Sequence, residues 1–203
     1  MRQYDYRSVT WDDGVPSIET ERLFLRITGI EALDLLVRFI ERNTEHFRPW
    51  FSAAALNPSR EELEKGLHEK HKLAREDRGY RFHLFQKADP SEIAGLCSLN
   101  DVRRGAIQQC TIGYAIDVEQ QGKGLMTEAV GAAIKFAFDD LDLHRIEGSY
   151  VPANVKSGAI LEQFGFRREA HIKEYLHLNN EWQDHYMNAL INPLWRGTGR
   201  TMR

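Results

Sequence analysis

The stretch that decides the fold is EQQGKGLMTEAVGAAIKFAF, Glu119 to Phe138, where two glycines surround a lysine and a long apolar-periodic segment follows at once. The apolar residues recur at helical spacing, which predicts a helix that continues to about Leu141. Glycines just before a helix let backbone amides approach an anion at the positively polarised helix end. The turn from Gly122 to Gly124 is therefore either a phosphate cradle or a simple helix-starting turn.

Two common phosphate-binding loops do not fit this turn. A P-loop needs four residues between its first glycine and Gly-Lys-Ser/Thr, but Lys123 is followed by Gly124 and no glycine lies just upstream. A dinucleotide fingerprint needs G-x-G-x-x-G, and its third glycine position is occupied by Thr127. Both nucleotide motifs are excluded by the residues themselves.

The composition is that of an ordinary globular domain. The chain has 203 residues, 42% hydrophobic and 28% charged, which is enough for one hydrophobic core. We expect a single domain over 1–203, with an N-terminal extension over 1–20 and a flexible basic tail over 196–203. No segment approaches the roughly 20 apolar residues of a membrane span, and the first residues lack the apolar core of a signal peptide. We therefore expect a cytoplasmic protein without a membrane partner.

Charge and cysteine content narrow the function further. The formal net charge of −3 gives no argument for a nucleic-acid partner, since such domains usually carry a basic excess or stripe. No Cys/His cluster has zinc-site spacing, so we expect no metal. Cys97 and Cys110 could form at most one disulfide, but both fall in strand-like runs, and we expect reduced, small core side chains.

The periodicity along the chain predicts an α+β fold with a mixed, mostly antiparallel sheet of about seven strands flanked by helices. The predicted strands are 21–27, 81–87, 92–102, 109–118, 144–151, 166–178 and 182–191. The predicted helices are 30–41, a charged helix capped at Ser59, the opening helix, and 154–164 ended by Gly165. The three strands between 81 and 118 follow one another directly, which predicts an antiparallel meander.

A second segment changes the interpretation of the glycine turn. Residues 153–157 read A-N-V-K-S and are followed by Leu161 and by F-G-F at 164–166. This order is similar to A-N-x-x-S followed by L-x-x-x-G-F, a conserved region of the GNAT N-acetyltransferases. Read from Glu119 to Gly124, the glycine turn resembles the acetyl-CoA motif of the same family, Q/R-x-x-G-x-G/A, with Glu in place of Gln or Arg.

The resemblance to the GNAT family covers nearly the whole chain. E-T-E-R-L-F-L-R at 19–26, F-R-P-W at 47–50 and W-Q-D-H-Y at 182–186 look like the RimJ/RimL branch, which acetylates ribosomal-protein N-termini. Q-G-K-G-L-M at 121–126 and H-R-I at 144–146 look closest to the RimJ type. That resemblance implies acetyl-CoA as co-substrate and the N-terminal alanine of ribosomal protein S5 as acceptor.

The resemblance also implies where acetyl-CoA binds. The family holds it in a V-shaped splay, here between strands 109–118 and 144–151, with the pantetheine amides paired to the backbone after Tyr114. The pyrophosphate would meet the amides of the glycine turn. The implied cofactor-binding residues are Ile116, Asp117, Val118, Gln121, Gly122, Lys123, Gly124, Leu125, Met126, Asn154 and Ser157. For Asn154, a plain helix N-cap is the alternative interpretation.

The implied reaction is attack of an amine on a thioester, which needs a base, an oxyanion donor and a proton for the thiolate. An α-amino group has an ordinary pKa of about 7.7 to 8.0, so a strong base is not required. Glu174 is the candidate for a water-linked base, with an ordinary exposed strand glutamate as the alternative. Ser157 is implied as proton donor, and a backbone amide of the strand ending at Val118 as oxyanion donor.

The substrate pocket is predicted from a cluster of aromatic residues. Phe47, Trp50 and Phe51 are too apolar and too closely spaced for an ordinary loop, and would wall the pocket for a peptide terminus as well as packing in the core. Tyr114 and Tyr175 are further candidates for the same cleft, from their strand positions.

Two other functions stay open from the sequence. One is acetylation of a small amine such as an antibiotic, a polyamine or an amino acid, because pocket-lining residues come from variable loops. The other is a CoA-binding or ribosome-associated accessory protein with little catalysis.

Overall fold

The computed structural model describes residues 6–197, which form a nine-stranded sheet flanked by helices. The strands are β1 (Ser8–Asp12), β2 (Val15–Glu19), β3 (Leu23–Arg26), β4 (Tyr80–Gln86), β5 (Ile93–Arg103), β6 (Gln109–Ile116), β7 (Arg145–Tyr150), β8 (Arg167–Leu178) and β9 (Glu181–Ile191). The helices are α1 (Leu33–Phe47), α2 (Ala53–Leu56), α3 (Arg60–Arg75), α4 (Leu125–Lys135) and α5 (Val155–Gln163). A 3₁₀ turn (Ile30–Ala32) precedes α1, another (Val118–Gln120) follows β6, and a π-helical turn (Phe136–Asp140) extends α4.

The sheet runs in the order β1-β2-β3-β4-β5-β6-β7-β9-β8. The predicted meander is confirmed, because β4 pairs antiparallel with β5 and β5 with β6. All seven predicted strands are present within two residues of their predicted bounds. The predicted hairpin turn at Asn179 and Asn180 is also confirmed, with φ of 49° and 62° at the two residues and Leu178 paired to Glu181.

The prediction of about seven strands missed the N-terminal hairpin. β1 and β2 pair around Asp13 and Gly14, whose φ values of 45° and 75° are those of a tight two-residue turn. Ile18 on β2 is fully buried in the main core, so this part of the predicted extension belongs to the sheet. The first five residues of that extension, and residues 198–203 of the predicted basic tail, lie outside the described residues.

The sheet opens between β6 and β7, as the family resemblance implies. The two strands run parallel, and they pair only where Gln109–Thr111 faces Arg145–Glu147. Beyond that point β7 continues to pair with β9 as far as Tyr150, whereas β6 stays on β5 as far as Ile116. The later residues of β6 therefore have no strand neighbour on one side, and a V-shaped gap separates them from β7.

Helices cover both faces of the sheet. On one face α4 is almost entirely buried, and its Ala129, Val130 and Ile134 pack in the larger core. On the other face Leu36, Phe39 and Leu67 of α1 and α3 form a second core. Cys97 and Cys110 are fully buried free thiols, which confirms their prediction as core side chains.

Helix α1 is longer than its predicted end at Glu41. It continues to Phe47 and stops two residues before Pro49, consistent with the restriction that proline places on its predecessor. The extra turns were missed because Arg42, Asn43 and Thr44 break the apolar periodicity. Asn43 is nevertheless fully buried.

Candidate active site

A cavity of about 860 Å³ opens where the sheet splays. Its walls come from the end of β6, the glycine turn with the start of α4, the first half of α5, and the end of α1 with the turn after it. The lining residues are Glu45, His46, Phe47, Pro49, Trp50, Phe51, Tyr114, Ala115, Ile116, Gln120, Gln121, Gly122, Gly124, Leu125, Met126, Thr127, Ala153, Asn154, Val155, Lys156, Ser157, Ala159 and Ile160. A volume of this size suits a small-molecule ligand.

The glycine turn is built as an anion cradle. Gly122 and Gly124 have φ of 73° and 74°, in the left-handed region that favours glycine, and Gly124 is the N-cap of α4. Within residues 6–197 the amides of residues 122–126 donate to no protein acceptor. A row of free amides at a helix N-terminus favours a phosphate group. The cradle interpretation of the turn is therefore the one that the geometry supports.

Arg22 stabilises this turn through hydrogen bonds made outside the cavity. Its Nη1 donates to the Lys123 carbonyl at 2.9 Å, and its Nε donates to Oε2 of Glu128 on α4 at 2.6 Å. Glu128 also accepts from the Thr20 hydroxyl at 2.6 Å. The start of β3 is thereby tied to the turn and to the first turn of α4. Sequence periodicity carries no signal for a contact between residues a hundred positions apart.

The side chain that enters the cavity from the turn is Gln121, not Glu119. Gln121 donates through Nε2 to Nε2 of His46 at 2.6 Å, and its Oε1 accepts from Nζ of Lys156 at 2.8 Å. Glu119 does not line the cavity. Counted from Gln121, the motif Q/R-x-x-G-x-G/A has its usual first residue, and Met126 is the departure. These contacts favour a register that begins at Gln121, two residues after the predicted start at Glu119.

Lys123, predicted as a cofactor contact, does not line the cavity. Its Nζ donates to Oε1 of Gln120 at 2.8 Å on the protein surface. The side-chain charge beside the cradle comes from Lys156 on α5, which the sequence prediction did not select.

Of the three predicted backbone partners for pantetheine, the structure leaves Ile116 available. The amide of Asp117 donates to the Ala94 carbonyl on β5 at 3.0 Å, so the neighbouring Ile116 amide faces the splay. The amide of Val118 donates to Oδ1 of Asn43 at 2.8 Å. The amides of Asp117 and Val118 thus have protein acceptors, and neither amide is free to serve as an oxyanion donor.

Two hydroxyl groups meet in the cavity. Tyr114 Oη lies 3.1 Å from Ser157 Oγ and donates to the Ser157 carbonyl at 3.0 Å. Burial raises the pKa of the Tyr114 phenol well above its ordinary value, so the group stays protonated near neutral pH. Asn154 is the N-cap of α5, and its Oδ1 accepts from the Ser157 amide at 3.2 Å. The N-cap alternative for Asn154 is confirmed, although the residue also lines the cavity.

The aromatic cluster forms one wall of the same cavity. Phe47, Trp50 and Phe51 all line it, and the rings of Phe47 and Phe51 lie 5.1 Å apart. Phe47 is also 94% buried and packs in the second core. His46 lies beside it, and burial together with the charge of Lys156 lowers the pKa of this imidazole. A neutral His46 is the form that accepts the hydrogen bond from Gln121.

Glu174 and Tyr175 do not reach the cavity. Glu174 has φ of 48° at a bulge in β8, and its amide donates to Asp184 at 3.0 Å. Tyr175 is 39% exposed and packs edge-on against His185. Glu174 and Tyr175 were predicted near the site from their positions on a late strand. That strand is β8, which lies at the edge of the sheet.

The sequence and the fold match those of known acetyltransferases. The sequence model described as the acetyltransferase (GNAT) domain matches residues 22–167, which is most of the chain. The chain belongs to the GNAT acetyltransferase family. Its fold class, predicted from the motifs, is thereby confirmed.

This GNAT acetyltransferase has relatives whose names state an acceptor. The [ribosomal protein uS5]-alanine N-acetyltransferase of Escherichia coli (strain K12) is 33% identical over 198 residues, covering 95% of this chain and 97% of that protein. The crystal structure of the ribosomal-protein-S5-alanine acetyltransferase from Vibrio fischeri superposes with a TM-score of 0.82 at 30% identity, covering 89% and 98% of the two chains. The ribosomal L7/L12 α-N-protein acetyltransferase RimL, solved with coenzyme A, shares the fold with a TM-score of 0.77 at 23% identity, covering 85% and 95%.

The GNAT acetyltransferase is thus an acetyl-CoA-dependent N-acetyltransferase, and it is similar to enzymes named as ribosomal-protein S5-alanine acetyltransferases. Its residues fit the co-substrate. The free amides of the cradle and the nearby Lys156 supply donors for a diphosphate, and Ile116 supplies backbone for an amide-bearing arm. Among residues 6–197, none of the helices combines the length and apolar character needed to cross a membrane.

Proposed function

We propose that this enzyme acetylates the N-terminal alanine of ribosomal protein S5 in the cytoplasm. The observation that carries the choice of acceptor is the charge of the cavity. Glu45 is the only carboxylate among the residues that line it in the described chain, and it already pairs with Arg48. A polyamine carries several positive charges and would need several carboxylates. The neutral α-amino group of an N-terminal residue with a small side chain needs no carboxylate.

The aromatic wall suits such an acceptor. Phe47, Trp50 and Phe51 present apolar surface on the α1 side, which favours the uncharged form of an amine over its ammonium form. Because an α-amino group has an ordinary pKa of about 7.7 to 8.0, a useful fraction is neutral near pH 7. Water can then accept the proton released when the amine reacts, without a dedicated carboxylate.

Tyr114 and Ser157 hold protons at the opposite wall. Acetyl-CoA supplies the acetyl group as a thioester, and a thiol like that of cysteine has an ordinary pKa near 8.5. The departing thiolate needs hydrogen-bond donors rather than a strong acid. The Ser157 hydroxyl can provide such a donor, while the Tyr114 hydroxyl, whose single proton goes to the Ser157 carbonyl, lies 3.1 Å from Ser157 Oγ and positions it.

The test is acetylation of a defined peptide. The enzyme is incubated with acetyl-CoA and a peptide of the first residues of S5, beginning with alanine, and free CoA and peptide mass are followed. The same peptide with a blocked N-terminus and spermidine serve as comparators. We expect turnover of the free peptide alone. No turnover above the blocked peptide would exclude the S5 terminus, and faster turnover of spermidine would establish the small-amine function instead.

A further inference from the structure

Asn43 is a fully buried polar residue in the penultimate turn of α1. Both the NH₂ group and the carbonyl oxygen of its side-chain amide have hydrogen-bond partners. Nδ2 donates to the Phe39 carbonyl at 2.8 Å and to Oδ2 of Asp117 at 3.0 Å, while Oδ1 accepts from the Val118 amide at 2.8 Å. Two of these three bonds leave the helix and reach the end of β6. Buried polar groups with this many partners fix one arrangement of the elements they join.

Asp117 is the other residue in this joint, by which we mean the hydrogen-bonded contact between the end of α1 and the end of β6. The residue is 2% exposed, and its carboxylate also accepts from Nε of Arg42 at 2.7 Å and from the Glu119 amide at 2.9 Å. Hydrogen bonds from Asn43, Glu119 and Arg42 offset the cost of burying this carboxylate, and its pKa stays below the ordinary value despite burial. The end of β6 is thus bonded to two successive residues of α1.

The joint lies between the two halves of the cavity. His46 and Phe47, three and four residues after Asn43, line the acceptor-side wall, and the turn after α1 carries Trp50 and Phe51. On the other side, Asp117 leads directly into the cradle. The hydrogen bonds of Asn43 therefore set the distance between the aromatic wall and the end of β6. Asn43 itself does not line the cavity.

We infer that Asn43 is a positioning residue, which sets the aromatic acceptor wall of α1 against the cofactor-binding end of β6. The inference rests on the proposed function only in placing the acceptor at that wall. Loss of the Asn43 amide leaves the Val118 amide without its acceptor and removes one of the two bonds to Oδ2 of Asp117, which then keeps only its bond from Arg42, and so lets the end of α1 shift. The cradle amides and Lys156 do not contact Asn43, so cofactor affinity should change much less than reaction with the acceptor.

The test compares Asn43→Ala with Thr44→Ala. Thr44 is the matched control, because its hydroxyl bonds only to the Ile40 carbonyl within α1. We expect Asn43→Ala to lower kcat/KM for the alanine peptide at least tenfold while the Kd of CoA changes less than threefold, and Thr44→Ala to change neither. A CoA affinity that falls as far as kcat/KM, or equal effects of both variants, would overturn the inference.

A second readout needs no acceptor, and so separates this inference from the identity of the substrate. Hydrogen exchange of peptides covering residues 43–51 is measured with CoA bound. Exchange should be faster in Asn43→Ala than in wild type and in Thr44→Ala, and unchanged exchange would count against the inference. If the S5 peptide fails as substrate but exchange changes as expected, the proposed acceptor is wrong and the positioning role stands.

If Asn43→Ala does not fold, the test can instead exchange the amide at position 43 with the carboxylate at position 117. Asn43→Asp places a second carboxylate beside Asp117, and should lower activity at least as far as Asn43→Ala. Adding Asp117→Asn gives position 117 an amide that can donate to the new carboxylate. The double variant should recover severalfold over Asn43→Asp. A double variant less active than either single variant would show that the two side chains do not act as a pair.

Discussion

Tyr114 on β6 and Ser157 on α5 share their hydroxyl groups across the open end of the splay, with the two oxygens 3.1 Å apart. Tyr114 also donates to the carbonyl of Ser157, so the tyrosine fixes the first turn of α5 relative to the strand. These two contacts connect β6 to α5 across the gap. The pair places two proton-bearing groups at a single point in the cavity.

Removal of either hydroxyl should slow the reaction more than it weakens cofactor binding. A positioned proton donor contributes roughly 10²-fold or more to rate. Ser157→Ala removes the donor and Tyr114→Phe removes the group that positions it, so each should lower kcat by about tenfold to a hundredfold. The Kd of CoA should stay within a factor of three. Because the hydroxyls act on the same group, the double variant should be little slower than the slower single variant. Multiplied effects in steady-state kinetics would contradict a shared role, and an unchanged rate would remove the residue from the site.

The affinity for CoA should depend on the backbone conformation of the glycine turn. Gly124→Ala places a Cβ on a residue with φ of 74° beside the free amides, so we expect CoA binding at least tenfold weaker by calorimetry. Gly105→Ala is the matched control, since Gly105 has φ of 72° and open space around it in the turn after β5. Both variants carry similar backbone strain. Equal CoA affinities in the two would argue against the cradle.

Arg22 should support the cradle without touching the co-substrate. Arg22→Met removes the bonds to the Lys123 carbonyl and Glu128, and we expect the KM for acetyl-CoA to rise about threefold to tenfold with kcat nearly kept, as for a loss of positioning. Arg38→Met is the control, because Arg38 pairs with Glu92 on the surface and exposed pairs contribute little. A fall in kcat at saturating acetyl-CoA would point to a different role.

The pH dependence of stability should report a buried lysine. Lys70 on α3 is 9% exposed, and its Nζ lies 3.3 Å from Nε2 of His83, whose Nδ1 meets the Thr28 hydroxyl at 2.6 Å. Burial first, and then the charge of Arg81, lowers the pKa of Lys70 to about 7. The folded state thus favours the neutral amine, which completes the hydrogen-bonded chain.

The sign of the effect follows from proton uptake. Between its folded pKa of about 7 and its ordinary pKa of 10.5, Lys70 binds a proton in the unfolded chain that it lacks in the folded chain, so its contribution makes the unfolding free energy rise with pH. Burial raises the pKa of the Cys97 and Cys110 thiols, and their contribution has the opposite sign above their ordinary pKa of 9.0. Each pKa unit of difference corresponds to about 1.4 kcal/mol. Lys70→Met should flatten this rise in urea denaturation measured from pH 7 to 10, whereas the exposed control Lys65→Met should keep it. A slope that survives in Lys70→Met would assign it to another group.

Much of the fold could be predicted from the sequence, because local pattern and local physics coincide there. Alternation in 81–87 and 109–118 reflects strands with one face in each core, and the capping box at Ser59 and Glu62 starts α3 as its residues predict. The N-terminal hairpin was missed although Asp13-Gly14 is a strong turn signal, because short strands on either side carry few apolar residues.

The candidate site was predicted less completely, and the missing parts share one cause. Among the selected residues, Gly124, Asn154 and Ser157 line the cavity, and each lies in a motif where the local turn itself brings the residue to the start of a helix. Glu174 was selected by proximity along the chain, which a bulge on an edge strand made irrelevant. Gln121 was selected for the cofactor site, but its contacts with His46 and Lys156 could not be predicted, because these partners lie 75 and 35 positions away along the chain.

The sequence by itself determined that a glycine turn precedes α4, that strands and helices alternate in this order, and that the chain is similar to acetyl-CoA-dependent enzymes. Only the tertiary structure decided that Asn43 bonds to Val118, that Arg22 holds Lys123, and that Tyr114 meets Ser157. The physical reason is distance along the chain. Periodicity and capping act over a few residues, whereas these contacts depend on how far β6 and β7 diverge and on how α1 and α5 pack across the gap.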